Sequence, residues 1–163
     1  MPLVRADLHN HSCLSPCGSL DLSPAVLARR ARDRGLDLVA LTDHNSARNA
    51  PTFRVCCRRE GLAALYGTEA TSAEEAHVLA LFATVEESLA FSEFLQGHLP
   101  RLPYDPRLLG DQAVVDAQDN VLDLPELYLG AALDLGWDEL CLEADSRGAL
   151  VIPAHIDRPA FGA

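Results

Sequence analysis

Near its start the sequence carries a row of residue types that bind metal ions. Asp7, His9 and His11 occupy alternate positions, and alternate side chains of an extended chain point to the same side. A carboxylate and two imidazoles on one side of a strand are suitable ligands for a divalent ion. A polar strand face exposed to solvent would give the same pattern, so the row by itself leaves both interpretations open.

Further candidate ligands occur where predicted strands begin or end, which is where α/β folds place their functional sites. They are His44, Glu69, His77 and His155. Each also has an ordinary interpretation, as a turn residue, a surface glutamate or a structural histidine. The sixth histidine, His98, falls in a loop and is predicted to lie on the surface.

Other side chains could assist such a site. Asp43 precedes His44 and could orient an attacking water or a ligand imidazole, because metal-bound histidines commonly donate their second N–H to a carboxylate. Asp7 is a second candidate for this role. Cys17 could supply a thiolate, which suits zinc or iron better than magnesium or manganese, although a structural thiol explains it equally well. Arg158 could contact a phosphate, but a surface charge is the commoner role of such an arginine.

The elements that must position these residues alternate between strand and helix. Ser23 and Pro24 predict a helix start, and Gly35 predicts its end. The apolar patterns then predict strand 3–9, helix 24–34, strand 36–42, helix 49–60 and strand 62–68. This order is typical of an α/β fold.

The next strand, 77–82, follows after a short connection. Only seven residues, 70–76, separate Glu69 from His77, and a parallel crossover usually needs about a dozen or more. We therefore predict an antiparallel pair in which Glu69 and His77 can reach one ion.

The remainder of the chain is less regular. We predict an amphipathic helix at 85–96 and an irregular insertion at 98–126, with a short hairpin around 113–121. A helix at 127–135, a helix at 137–147 and a strand at 149–153 that leads to His155 complete the prediction.

Composition limits the class of protein. A chain of 163 residues with 48% hydrophobic residues predicts one domain over 1–163 with a packed core. No apolar run is long enough to cross a bilayer, and the odd number of cysteines with no export signal predicts thiols and a cytoplasmic location. A net charge of −11 opposes attraction to a nucleic-acid backbone, so nucleic acid is expected only as a substrate.

Five short motifs, taken in order, resemble those of the polymerase and histidinol phosphatase (PHP) family. They are Asp7-x-His9-x-His11, Thr42-Asp43-His44, Gly67-x-Glu69, His77-Val78-Leu79 and Pro153-Ala154-His155. The resemblance spans nearly the whole chain. It implies a distorted (β/α)7 barrel with two or three divalent ions, zinc, manganese or iron, at the C-terminal mouth of the strands.

The resemblance also implies roles for the first two metals. His9 and His11 would hold the first ion, and Glu69 would bridge it to the second. His77 and His155 would complete the second site.

A third ion would be bound by His44, with Cys17 where the family often has histidine or aspartate. Family members also end with an Asp-x-His motif that completes the first and third sites, and nothing after Ala149 supplies it. The resemblance therefore implies an incomplete barrel, whose open edge could allow self-association.

Two functions follow as hypotheses. The first is hydrolysis of a small phosphomonoester or nucleotide-type substrate by a metal-activated water. The second is a metal-binding fragment that has a regulatory role or no enzymatic role.

Overall fold

The computed structural model describes residues 3–102, 104–158 and 162, which form a mixed α/β fold. Residue 103, inside the predicted insertion 98–126, lies outside the described residues. The strands are β1 (Ala6–Asp7), β2 (Leu38–His44), β3 (Ala63–Thr71), β4 (His77–Phe82), β5 (Val114–Val115), β6 (Val121–Asp123) and β7 (Leu150–Pro153). Five of them form one sheet in the order β1-β2-β3-β4-β7, and β5 pairs with β6 as a separate hairpin.

Capping residues in the sequence mark where several helices begin and end. They are α1 (Pro24–Asp33), α2 (Ala50–Glu60), α3 (Val85–Gly97), α4 (Pro106–Leu109) and α5 (Trp137–Ser146). Ser23 caps α1 by accepting from the Val26 N–H, and Thr84 forms a capping box with Glu87 at the start of α3. Gly61 ends α2 in the left-handed conformation, with a φ of 71°. No helix among the described residues is long and apolar enough to span a membrane.

The direction of β4 decides which strand ends meet. β1, β2 and β3 are parallel, β4 is antiparallel to β3, and β7 is antiparallel to β4. The predicted antiparallel pair is therefore confirmed. Because β4 runs the opposite way to the other four strands, its first residue lies at the same sheet edge as the last residues of its neighbours. Gly67 permits this pairing, since a Cβ there would lie 2.1 Å from the Ala80 carbonyl oxygen.

Alternate residues of the sheet face different surroundings. On one face, α1 and α2 pack against β2 around Phe53, while α3 and α5 pack against β4 around Phe91. The other face carries a small apolar cluster that includes Ala40 and Leu79. Period-two alternation places His44, Glu69 and His77 on the face of this small cluster and Asp43 on the helix-covered face.

The predicted helix at 127–135 is wrong, because this segment has no helix. Its backbone groups bond to other parts of the chain instead. The Asn45 amide donates to the carbonyls of Leu129 and Ala131, and the Leu133 N–H donates to the Thr71 carbonyl. Leu129, Leu133 and Leu135 of this segment are nevertheless buried.

The first strand is also shorter than predicted. Only Ala6–Asp7 pairs with β2, and Leu3 and Val4 are exposed. Elsewhere the predicted hairpin near 113–121 is present as β5 and β6, within a segment that also contains α4.

Candidate metal centre

One edge of the sheet brings together six residues that the sequence suggested as metal ligands. Each comes from a strand end or from the chain just beyond it. They are His9 and His11 after β1, His44 at the end of β2, Glu69 near the end of β3, His77 at the start of β4 and His155 after β7. The antiparallel course of β4 is what allows a strand start to join the strand ends.

Glu69 lies at the middle of this cluster and is 1% exposed. Its Oε1 is 2.9 Å from both His77 Nδ1 and His155 Nε2. Its Oε2 is 3.1 Å from His9 Nε2 and 2.9 Å from His11 Nε2. Both carboxylate oxygens are therefore surrounded by ring nitrogens.

The surroundings of Glu69 decide its charge. Burial alone would raise the pKa of this carboxyl, but hydrogen bonds from His11, His77 and His9 outweigh burial and hold the pKa below its usual value. Glu69 is consequently an anion at neutral pH, as a carboxylate that bridges cations must be.

His44 provides a direct test of whether the cluster fits a metal ion. Its Nδ1 is buried and has no hydrogen-bond partner among the described residues, at 3.5 Å from Glu69 Oε2. Burial, and then the neighbouring His11, lower the pKa of His44 to about 4. The ring is therefore neutral at neutral pH. A buried nitrogen without a partner is costly, and a cation would satisfy it.

The donor atoms also group tightly enough to share ions. Three sets have donor atoms that all lie within 4.8 Å of one another: His9 with His11 and Glu69, His44 with Glu69 and His77, and His11 with Cys17 and His44. Imidazole and carboxylate donors suit zinc, manganese and iron. The residues present therefore fit a metal centre.

Cys17 is the exposed cysteine of the five, all of which are free thiols. Desolvation of the thiol, followed by the negative charges of Glu69 and Asp43, raises the pKa of Cys17. Binding of a metal ion here would have to displace the thiol proton. Cys13, Cys56 and Cys57 are buried in the core and contribute to its packing.

Asp43 lies behind the cluster rather than in it. It is completely buried, and its carboxylate accepts from the Ser12 N–H and the Ser12 and Ser15 hydroxyls at 2.6, 2.6 and 2.8 Å. Burial raises the pKa of Asp43, and the hydrogen bonds from Ser12 and Ser15 oppose that rise. Among the described residues, the Ser15 hydroxyl connects this carboxylate to the candidate ligand His11.

The other two predicted assisting residues are exposed. Asp7 accepts from the backbone N–H of His9 at 3.4 Å, so its hydrogen bond is to the main chain rather than to the imidazole. Arg158 lines the same cavity of about 390 Å³ as the ligand cluster. That position is suitable for an anion-binding side chain.

Sequence reasoning missed several polar residues around the site. Ser12, Ser15 and Asn49 are completely buried and bonded to one another or to Asp43. The only sequence signal was two serines shortly after His11, and such loop serines are usually exposed. His98, predicted to be a surface residue, is partly exposed and pairs there with the exposed Asp134 through an Nδ1–Oδ1 distance of 2.6 Å.

Comparisons with known proteins identify a family and a fold for this chain. The family model of the PHP domain matches residues 7–99, more than half of the chain. The crystal structure of a proposed metal-dependent phosphoesterase from Bifidobacterium adolescentis superposes with a TM-score of 0.63 at 20% identity, over 97% of this chain and 69% of that one. This likeness shows a shared fold.

A structure of an amidohydrolase from Chromobacterium violaceum, with bound sulfate and no metal, has a TM-score of 0.48 at 25% identity and covers 58% of this chain and 33% of that one. No curated protein sequence gives a significant match. The matched region 7–99 contains all of the candidate ligands except His155. On this match the chain belongs to the PHP domain family.

Proposed function

We propose that this protein is a metal-dependent phosphoesterase that acts on small phosphorylated substrates, either phosphomonoesters or compounds of nucleotide type. The observation that carries the proposal is the convergence of five imidazoles on the two oxygens of Glu69. Family membership supports a metal-dependent hydrolase, and the phosphoester substrate is the finer part of the proposal.

The ligand sets support two or three divalent ions of zinc, manganese or iron. His9, His11 and Glu69 would hold one ion, and Glu69 with His77 and His155 a second. Ions at such a centre lower the pKa of a bound water and offset negative charge on phosphoryl oxygens.

A third ion would depend on His44 and Cys17, which group with His11. This site is the weakest of the three in protein ligands, because Cys17 must lose a proton that its neighbours favour. We therefore expect the third ion to bind last.

The protein's own groups would hold and orient the substrate. Glu69 remains ionised and His44 remains neutral at neutral pH, so both present lone pairs to cations. Arg158 lines the same cavity as the candidate ligands, where its guanidinium could pair with a phosphate. A cavity of about 390 Å³ favours a small substrate over a folded macromolecule.

We also propose that the sheet is part of an incomplete, distorted (β/α)7 barrel. Four parallel strands with the ligands at one common edge support a relation to the distorted (β/α)7 barrel.

The competing function is metal binding without catalysis. A protein with that function would use the same candidate ligands but would not hydrolyse a phosphoester. The experiment measures metal content after dialysis and turnover of an aryl phosphate with manganese or zinc. We expect about two or more ions per chain and metal-dependent turnover. The His9→Ala, His11→Ala double variant should lose both, whereas Glu93→Gln, at an exposed position on α3, should lose neither.

The outcomes separate the two functions. Fewer than about one ion per chain in the wild type would exclude both of them. Full metal content without turnover of any phosphoester tested would favour the non-catalytic function.

A further inference from the structure

The hydroxyl of Ser15 lies between the ligand cluster and the carboxylate buried behind it. Ser15 is completely buried. Its Oγ is 2.8 Å from Asp43 Oδ1, 3.0 Å from the His44 backbone nitrogen and 3.0 Å from His11 Nδ1. One hydroxyl therefore contacts two candidate ligands and one carboxylate.

The number of protons and lone pairs limits how these three contacts can be made. A serine hydroxyl has one proton and two lone pairs. The His44 N–H can only donate, so it occupies one lone pair. If the Ser15 proton goes to Asp43, the second lone pair must accept a proton from His11 Nδ1.

The surroundings of Asp43 favour that direction. The Ser12 hydroxyl accepts from Asn49 Nδ2 at 2.9 Å and from the Leu14 N–H at 3.2 Å, so its own proton is left for Asp43 Oδ2. The Ser12 N–H points at Asp43 Oδ1. Together with Ser15, three donors converge on the carboxylate, which acts as their common acceptor.

A proton held at Nδ1 has a consequence at the opposite side of the His11 ring. A neutral imidazole carries one proton, so its lone pair is then on Nε2. Nε2 is the atom that faces the cluster, at 2.9 Å from Glu69 Oε2 and 3.2 Å from His9 Nε2. In the metal-free protein Nε2 donates to Glu69; once a cation replaces that proton, the Ser15 hydroxyl keeps the remaining proton on Nδ1 and leaves the Nε2 lone pair facing the cation.

We propose that Ser15 is a positioning residue that relays the Asp43 carboxylate to His11, fixing the His11 proton on Nδ1 so that Nε2 can bind metal. The inference rests on the proposed function, because it concerns the same metal centre. The same hydroxyl accepts from the His44 backbone N–H, so it fixes the positions of two candidate ligands relative to each other. In other metal sites a carboxylate commonly makes this contact directly, and here a serine is inserted between the two groups.

The test compares Ser15→Ala with Ser92→Ala. Ser92 is a matched control because it is also buried and its hydroxyl also accepts one backbone N–H, from Ala47 at 3.0 Å. The first readout is the zinc dissociation constant, measured by competition with a chelator. We expect Ser15→Ala to weaken zinc binding by about 10- to 100-fold and Ser92→Ala to leave it unchanged.

The second readout is the nitrogen and proton NMR of the His11 ring in zinc-loaded protein. The wild type should show a slowly exchanging proton on Nδ1 and none on Nε2. Ser15→Ala should lose the protection of that proton, and Ser15→Thr, which keeps a hydroxyl, should restore both protection and affinity. A structural role alone would not move the ring proton.

Each outcome decides the inference. A His11 proton on Nε2 in the zinc-loaded wild type would overturn it even if no variant folds. Wild-type affinity and an unchanged ring proton in Ser15→Ala would overturn it while leaving the proposed function intact. Absence of zinc binding by the wild type would instead overturn the proposed function and this inference with it.

Discussion

Two buried carboxylates on opposite faces of the sheet have opposite surroundings. Glu69 faces imidazoles, and hydrogen bonds from His11, His77 and His9 outweigh burial, so its pKa is lowered. Asp43 faces serine hydroxyls and a backbone N–H, and burial outweighs these bonds, so its pKa is raised. Since both carboxylates are buried, the difference between their hydrogen-bond donors decides the direction in which each pKa is shifted. Glu69 is placed to bind cations directly, whereas Asp43 is placed to hydrogen-bond to Ser12 and Ser15.

The largest effect is expected from Glu69→Gln. Removing the charge at the centre leaves five imidazoles with a neutral amide, so divalent ions lose their common anionic ligand. Loss of one partner of a buried charge pair costs about 3–5 kcal/mol, which predicts a fall in metal affinity of about 100-fold or more. Metal content and zinc affinity check this, with Glu93→Gln as the exposed control. Wild-type metal content in Glu69→Gln would contradict the central role of this carboxylate.

A smaller effect is expected on the pKa of Cys17, which both carboxylates influence. Burial is the largest cause of the raised pKa of the Cys17 thiol, and the negative charges of Glu69 and then of Asp43 raise it further. Removing either charge should therefore lower that pKa and speed alkylation by iodoacetamide at mildly alkaline pH, because only the thiolate reacts. The pH profile of alkylation in metal-free protein should move further for Glu69→Gln than for Asp43→Asn.

The control for this measurement lies in the same chain. Burial raises the pKa of Cys57 to about 12, so Cys57 should stay unmodified until the protein unfolds. A larger movement for Asp43→Asn than for Glu69→Gln would show that the rear carboxylate dominates the field at Cys17.

The smallest effect is expected from His98→Ala, which removes the histidine remote from both carboxylates. His98 pairs with Asp134, whose side chain is 77% exposed, and solvent-exposed ion pairs contribute about 0–1 kcal/mol. Urea denaturation should show a change of at most about 1 kcal/mol, and metal content should not change. A loss of bound metal would mean that the cluster extends further than the five imidazoles.

Short-range constraints made part of this site predictable. The seven-residue connection between Glu69 and His77 excluded a parallel crossover, and the antiparallel pair followed from it. The alternation of Asp7, His9 and His11 also predicted that His9 and His11 would approach one ion, and their Nε2 atoms lie 3.2 Å apart. The role of each ligand stays a prediction.

Long-range contacts made the rest unpredictable. Residues 127–135 were predicted to form a helix, but Asn45 and Thr71 bond to backbone groups that a helix would have bonded internally. Ser15 gave only a weak signal, as one of two serines shortly after His11, because its burial depends on the chain folding over it. Asp43 is a different case, since the alternation of β2 already placed it on the face opposite His44.

The hydrogen bonds of Asn45 affect how easily the segment around residues 129–133 can open. It follows His44 directly, adopts a φ of 48°, donates to Leu129 and Ala131, and accepts from the Thr71 N–H through Oδ1. One side chain thus ties an irregular segment to the ligand-bearing ends of β2 and β3. Segments joined by buried hydrogen bonds open as one cooperative unit. The amide hydrogens of Leu129 and Leu133, which donate to Gln112 Oε1 and to the Thr71 carbonyl, should therefore exchange as slowly as those of the sheet edge beside them, although their segment has no regular secondary structure.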